Sequence, residues 1–201
     1  DNIDTAGTPA ELGQIWQLLI PVVRGLVREA VGAADIAAVI SRELRALTRR
    51  ACEIAENEIA ESGGGAAPVP YAFLVLGSGG RGESLLAMDQ DNALIFENGE
   101  PGGPVDSWFA RLGQRVADIL NEVGVAYCSG GVMASNAAWR KDVGDWRKTI
   151  GGWIRRNRPE SILSADIFFD TMPVYGAGDL GRTLIDDARQ AAAGSKSFLQ
   201  A

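Results

Sequence analysis

Residues 77–97 read GSGGRGESLLAMDQDNALIFE: a glycine-rich turn, a short spacer, two acids one residue apart, and an apolar run. The segment before them, Tyr71–Leu76, is short, apolar and bounded by turn residues, which predicts a buried strand. Asp89–Phe96 predicts a second strand. Gly77–Gly82 satisfies G-x-G-x-x-G, and Glu97 stands twenty residues after Gly77, where a dinucleotide-binding βαβ unit places its ribose-binding acid. The spacing rejects that unit. Only the six residues Glu83–Met88 separate the glycines from the second strand, whereas a crossover needs about 10–12. A helix of that length covers about 9 Å and cannot run back along a strand. The turn also lacks G-K-[ST], which excludes a Walker A loop.

On a strand, residues i and i+2 share a face, so Asp89 and Asp91 project together beside the glycine turn. Two like charges held this close are costly unless a cation compensates them. Mg2+, or Mn2+ in its place, takes oxygen ligands and bridges carboxylates to phosphates. The amides of the turn, Gly77, Ser78 and Gly79, form an anion nest, and Arg81 adds charge-assisted hydrogen bonds. The segment thus predicts a phosphate cradle next to a metal clamp. Taken alone, D-x-D and a glycine turn are each common in solvated loops; their combination with two flanking apolar strands is specific.

Composition narrows the chemistry. The 201 residues hold no histidine, which removes imidazole acid–base catalysis, Ser-His-Asp and Cys-His arrangements, and histidine metal sites. Nineteen Lys and Arg against 26 Asp and Glu give a net charge of −7, a poor match to an extensive nucleic-acid surface. No apolar run approaches the ~18 residues of a membrane span, and the N-terminus does not read as a signal peptide. The two cysteines, Cys52 and Cys128, read as reduced thiols of a cytoplasmic protein. The first residue is Asp1 rather than Met, so the sequence is expected to be a fragment or a processed chain.

Further out, residues 8–62 read as helical. Thr8-Pro9-Ala10-Glu11 is a capping box with Pro at the first helical position. Pro21 is expected to kink or divide the run, and Asp35 to cap a second one. Ser62–Gly65 ends it, and a Gly-, Ala- and Pro-rich linker leads to Pro70. This divides the chain into an N-terminal helical region, 1–66, and a second domain, 67–201. Within the latter, the expected elements are a helix at Pro104–Val123 stopped by Gly124, a strand at Val125–Cys128, a helix at Ala138–Arg156, a strand at Ala165–Phe169 and a closing helix at Leu180–Ala193. The fold class is α/β (α+β): a small mixed β-sheet flanked by helices, preceded by a helical subdomain.

Several residues carry two readings. Ser135 and Asn136 either cap the helix that follows or contact the nucleotide or acceptor. Trp139, Trp146 and Trp153, seven residues apart, read as a packing stripe. Arg140 and Arg147 read as surface ion-pair or phosphate residues, Cys128 as a small buried hydrophobe, and Arg45, Arg49 and Arg50 as a solvated helix face.

Gly77-Ser78 followed by Asp89-Gln90-Asp91 resembles the signature of the DNA polymerase beta-type nucleotidyltransferase superfamily. The longer form GSGGRGESLLAMDQDNALI resembles the nucleotidyltransferase domain found fused to CBS and cyclic-nucleotide-binding domains in bacterial signalling proteins. It is also similar to the catalytic domain of PII uridylyltransferases, which share a glycine-rich turn ending in R-G-E followed by D-x-D. Residues 130–147, 167–176 and the preceding helical stretch extend the first resemblance. The resemblance implies a Mg2+-dependent transfer of NMP from an NTP to a hydroxyl acceptor, carried in the PII-like case by a regulatory protein. Gly77 and Ser78 would hold the triphosphate, Asp89 and Asp91 the metal, and a third carboxylate on a neighbouring strand would complete the site. Asp166 and Asp170 are both candidates: on a strand they share a face but lie about 13 Å apart, too far to serve one metal pair. The resemblance places the third acid at Asp170, as metal ligand or general base. The alternative is a catalytically silent nucleotide-binding module of a larger signalling protein.

Overall fold

Tyr71–Val75 (β1) and Asn92–Phe96 (β2) are buried at every position and pair antiparallel, Val75 opposite Asn92 and Tyr71 opposite Phe96. In the computed structural model, which describes residues 3–156 and 158–195, they form the centre of a four-stranded sheet. Arg140–Asp142 (β3) runs parallel to β2, and Met172–Gly176 (β4) antiparallel to β1, giving the order β3-β2-β1-β4. Both faces are covered, so the central strands read as unbroken apolar runs rather than as alternating ones. Tyr71, Phe73, Val75, Leu94 and Phe96 enter one core; Ala72, Leu74, Leu76, Ala93 and Ile95 enter the other. This is the mixed sheet with flanking helices expected from the sequence.

The first core is closed by Pro9–Gln17 (α1), Leu19–Arg28 (α2), Ala33–Ile59 (α3) and, after the five-residue helix Gly77–Arg81 (α4), Pro104–Val123 (α5). The second is closed by Val143–Arg156 (α6), Pro159–Phe169 (α7) and Gly178–Ala193 (α8). Thr8 Oγ1 accepts from the Glu11 amide at 3.2 Å, while the Glu11 carboxylate accepts from Gly7 N at 2.7 Å, one residue short of the reciprocal capping-box partner. The helical run divides at Leu18, three residues before Pro21, which has no N–H to offer the Gln17 carbonyl. Asp35 lies in the first turn of α3, whose cap is Gly32. Helix α5 spans its expected residues and stops at Gly124, φ +110°.

Four expected elements differ. The second strand starts at Asn92, and Asp89 contributes only a single parallel bridge to Ala126. Val125–Cys128 forms no strand beyond that bridge: Ala126 lies beside Asp89 and Gln90, ahead of β2, and β3 pairs further along with Leu94–Phe96. Residues 138–142 are a 3-10 turn and β3, so α6 begins only at Val143. Residues 165–169 are the end of helix α7, not a strand. Pro159 starts that helix, and Phe168 packs on Trp146 with ring centroids 4.9 Å apart. A short apolar run such as Ile-Phe-Phe suits either a strand or a buried helix, and packing chose the helix. Trp139, Trp146 and Trp153 pack on one another at 5.9–6.2 Å, the packing role expected of them. No helix among the described residues is long and apolar enough to cross a membrane.

Because Leu44, Leu47 and Ala51 of α3 share one core with Phe73, Phe96, Phe109 and Leu112, removing residues 1–66 strips a face from both the sheet and α5. The truncated chain is expected to aggregate on size-exclusion chromatography and to lose a cooperative melt; a soluble, cooperatively melting monomer would contradict this.

Candidate functional site

The glycine turn and the two acids meet where β1 and β2 end together. Leu76 N donates to the Asp91 carbonyl at 2.9 Å, so the chain after β1 and the chain before β2 leave the sheet side by side. Gly77 turns with φ +54°, and a Cβ there would lie 3.2 Å from Asp91 Oδ2. Glycine is thus required twice, for the dihedral and for the carboxylate packed against it. Gly80 faces the opposite neighbour: its Cβ would overlap the Asp170 carbonyl oxygen at 1.9 Å. Gly82, φ +87°, closes α4 in the left-handed conformation.

Asp89 and Asp91 flank Gln90, and their burial alternates as extended backbone requires. Gln90 is buried, Asp89 exposed and Asp91 half-buried. Burial raises the Asp91 carboxyl above its ordinary value and the Asp89 charge raises it further, while a hydrogen bond from the Cys128 thiol works the other way. Cys128 packs partly buried against the second core, close to the expected small hydrophobe, and is also a polar neighbour of the acid. Its own thiol is pushed up by burial, which keeps it a neutral donor.

Asp170 caps the C-terminus of α7. Its carboxylate pairs with Arg81, which also donates to Glu83 at 2.9 Å. The strand geometry invoked for Asp166 and Asp170 does not apply: they are four apart at a helix end, with Asp166 exposed and Asp170 against the glycine turn. Arg81, expected to face phosphate, is held by these two acids. Among the described residues no three Asp, Glu or Cys side chains gather as a metal cluster. The paired carboxylates Asp89 and Asp91 are hard oxygen donors with unbalanced charge, and as a pair they suit a divalent cation such as Mg2+.

The segment 130–136 lies along the start of β2. Val132 O accepts from Asn92 N at 3.0 Å, and Ala134 N donates to Asn92 Oδ1 at 2.7 Å. Asn136 takes the capping role: Oδ1 accepts from Ala138 N and Nδ2 donates to Gly131 O. Ser135 is half-buried, and its carbonyl accepts from Arg140. Arg140 is not a surface residue; it is 7% exposed, pairs with Asp106 at 2.9 Å and also binds the Ala134 carbonyl. Arg147 does form a surface pair, with Asp187.

Of the residues that hold the site in place, Gln90 and Ser41 went unnoticed in the sequence, and Arg45 was expected on a solvated helix face. Gln90 Nε2 donates to the carbonyls of Ala117 and Val125, both at 2.9 Å, fixing the backbone between the two acids to α5 and its exit. Arg45 of α3 donates to the Gly79 and Gly80 carbonyls at 2.8 and 2.9 Å, and Ser41 Oγ accepts from Ser84 N at 2.8 Å. The arginines expected to be a solvated face are engaged, Arg49 with Asp4 and Arg50 with Glu53 and the Ala6 carbonyl. A polar residue between two acids was the only local signal for Gln90; for Arg45 there was none.

Gln90→Ala removes the partners of two carbonyls and is expected to cost about 3 kcal/mol in chemical denaturation. Asp91→Asn acts the other way. A carboxyl held above its ordinary value stabilises the fold below its unfolded pKa and loses that contribution as pH rises through the folded one. Without divalent cation, Asp91→Asn is therefore expected to melt above wild type at neutral pH, with the gap closing below about pH 4. A lower melting temperature at neutral pH would contradict this.

Residues 18–160 match the model of a family described as "Putative nucleotidyltransferase DUF294". No curated protein matches the chain. The match takes in α2, α3, the central strands, the glycine turn, both acids and the tryptophan cluster; Asp170 lies beyond it. More than half of the chain is covered, and by this match it belongs to that nucleotidyltransferase family.

Proposed function

We propose that the protein transfers a nucleoside monophosphate from an NTP to a hydroxyl acceptor, with a divalent cation held by Asp89 and Asp91. The observation that carries this reading is the Asp91 carboxylate packed on Gly77 with the Asp89 charge beside it. That arrangement destabilises the bare protein and is relieved by a cation. When bound, Mg2+ supplies charge neutralisation for the phosphates and for the leaving pyrophosphate. The amides of Gly77, Ser78 and Gly79 face phosphate oxygens in this reading. Arg81 stabilises charge on the transferring group, and Asp170 takes the proton of the acceptor hydroxyl. Gln90, Arg45 and Asn92 keep these groups in register.

The glycine turn ending in Arg81-Gly82-Glu83, followed by D-x-D, supports a regulatory protein as acceptor, in the manner of the PII uridylyltransferases. Further sensor domains of the CBS or cyclic-nucleotide-binding type and a cytoplasmic location belong to the same reading. The Arg81–Asp170 pair favours a second reading, a nucleotide-binding module without turnover: with Asp170 committed to Arg81, nucleotide would bind but no base would serve the acceptor.

A thermal-shift panel of the four NTPs, with and without Mg2+, tests binding, and mass spectrometry of acceptor proteins tests transfer. Stabilisation by one NTP that requires Mg2+ and vanishes in Asp91→Asn is expected; equal NTP affinity in EDTA and Mg2+ would sink the proposal. For turnover, Asp170→Asn is expected to lower transfer by about a hundredfold or more, with folding little changed and Asp166→Asn near neutral. Binding without transfer in wild type would establish the silent module, and the opposite ranking of the two variants would remove Asp170 from the mechanism.

A further inference from the structure

Arg42, Arg45 and Arg49 lie on one face of α3 and line a groove of about 400 Å³ whose other wall is Met172-Pro173-Val174 of β4. Neither Asp89 nor Asp91 lines it. Three guanidinium groups meet two acids there: Arg42 pairs with Glu43 and Arg49 with Asp4. An excess of one positive charge therefore sits in this groove of a chain whose net charge is −7. Both pairs are solvent-exposed, with the arginine side chains 73% and 41% accessible, so they are screened and easily exchanged for another anion. Arg45 is anchored deeper, by its bonds to the Gly79 and Gly80 carbonyls, which engage two of its five N–H donors. It places the groove in direct contact with the back of the glycine turn.

We propose that this groove is a second ligand site, for an organic phosphate whose phosphate binds the arginines and whose apolar or aromatic body lies on Met172, Pro173 and Val174. Guanidinium forks match phosphate oxygens in pairs. Met172 is 40% exposed, an apolar side chain left for such a body to cover. The volume is that of a small-molecule site rather than of a peptide groove. The two carboxylates that line the groove, Asp4 and Glu43, are paired with Arg49 and Arg42, so binding here needs no divalent cation.

Calorimetric titration of the whole chain in EDTA tests this, with adenosine 5′-monophosphate, inorganic phosphate and adenosine as probes. The monophosphate is expected to bind more tightly than inorganic phosphate, and adenosine not at all. Affinity is expected to fall about tenfold or more in Arg42→Ala/Arg49→Ala, as for lost charge-assisted bonds, and to be unchanged in Asp89→Asn/Asp91→Asn. No binding of the monophosphate at millimolar concentration overturns the proposal, as does equal binding by the arginine double variant. Loss in the aspartate variant instead assigns the ligand to the metal-dependent site and overturns it too. Because the titration contains no metal, its failure leaves the nucleotidyl-transfer reading standing, and the reverse also holds.

Discussion

Two-sided burial of β1 and β2 is the constraint from which the rest of the structure follows. Each strand sends alternate residues into two separate cores, so a one-residue slip would exchange Phe73 and Leu94 with Leu74 and Ala93 between cores of different shape. The register is thereby fixed, and with it the place where the strands end. Leu76 and Asp91 leave the sheet joined by a backbone hydrogen bond, which brings the glycine turn against the carboxylate. The site is the consequence of where an apolar sheet stops.

Around that point the protein tolerates unfavourable electrostatics and surrounds them with neutral or internally balanced anchors. Asp91 is half-buried beside a like charge, and Asp170 is held by Arg81 against a glycine backbone. Gln90 and Asn92, both buried, fix the flanking backbone through uncharged hydrogen bonds. The buried Arg140–Asp106 pair sits further back and ties β3 and α5 to the 134–135 carbonyls. Removing either partner alone would leave an uncompensated charge in the core. Local instability held within a rigid frame is the arrangement expected where a protein must accept a charged ligand.

The N-terminal helices are part of that frame. Helix α3 contributes core side chains along one stripe, and along another the polar groups Ser41 and Arg45 that grip the glycine turn. One helix thus serves packing and site geometry together. The family match likewise begins at residue 18 and runs unbroken from the helical region into the sheet.

By itself, the sequence determined the local facts: the two buried strands, helix α5 and its glycine stop, the division near Pro21 and the tight turn at Gly77–Gly82. Each depends on neighbouring residues, on period, dihedral preference or a missing N–H, and those are written in the chain. Tertiary structure decided what depends on partners distant in sequence. Residues 165–169 became helix because Phe168 found Trp146, and residues 125–128 kept only the bridge of Ala126 to Asp89, ahead of β2. Cys128 became a donor to Asp91, Arg140 the mate of Asp106, and Arg45 the clamp on Gly79 and Gly80 across a separation of 34 residues. A hydrogen-bond partner that far along the chain leaves no periodicity to read; only the packed fold supplies it.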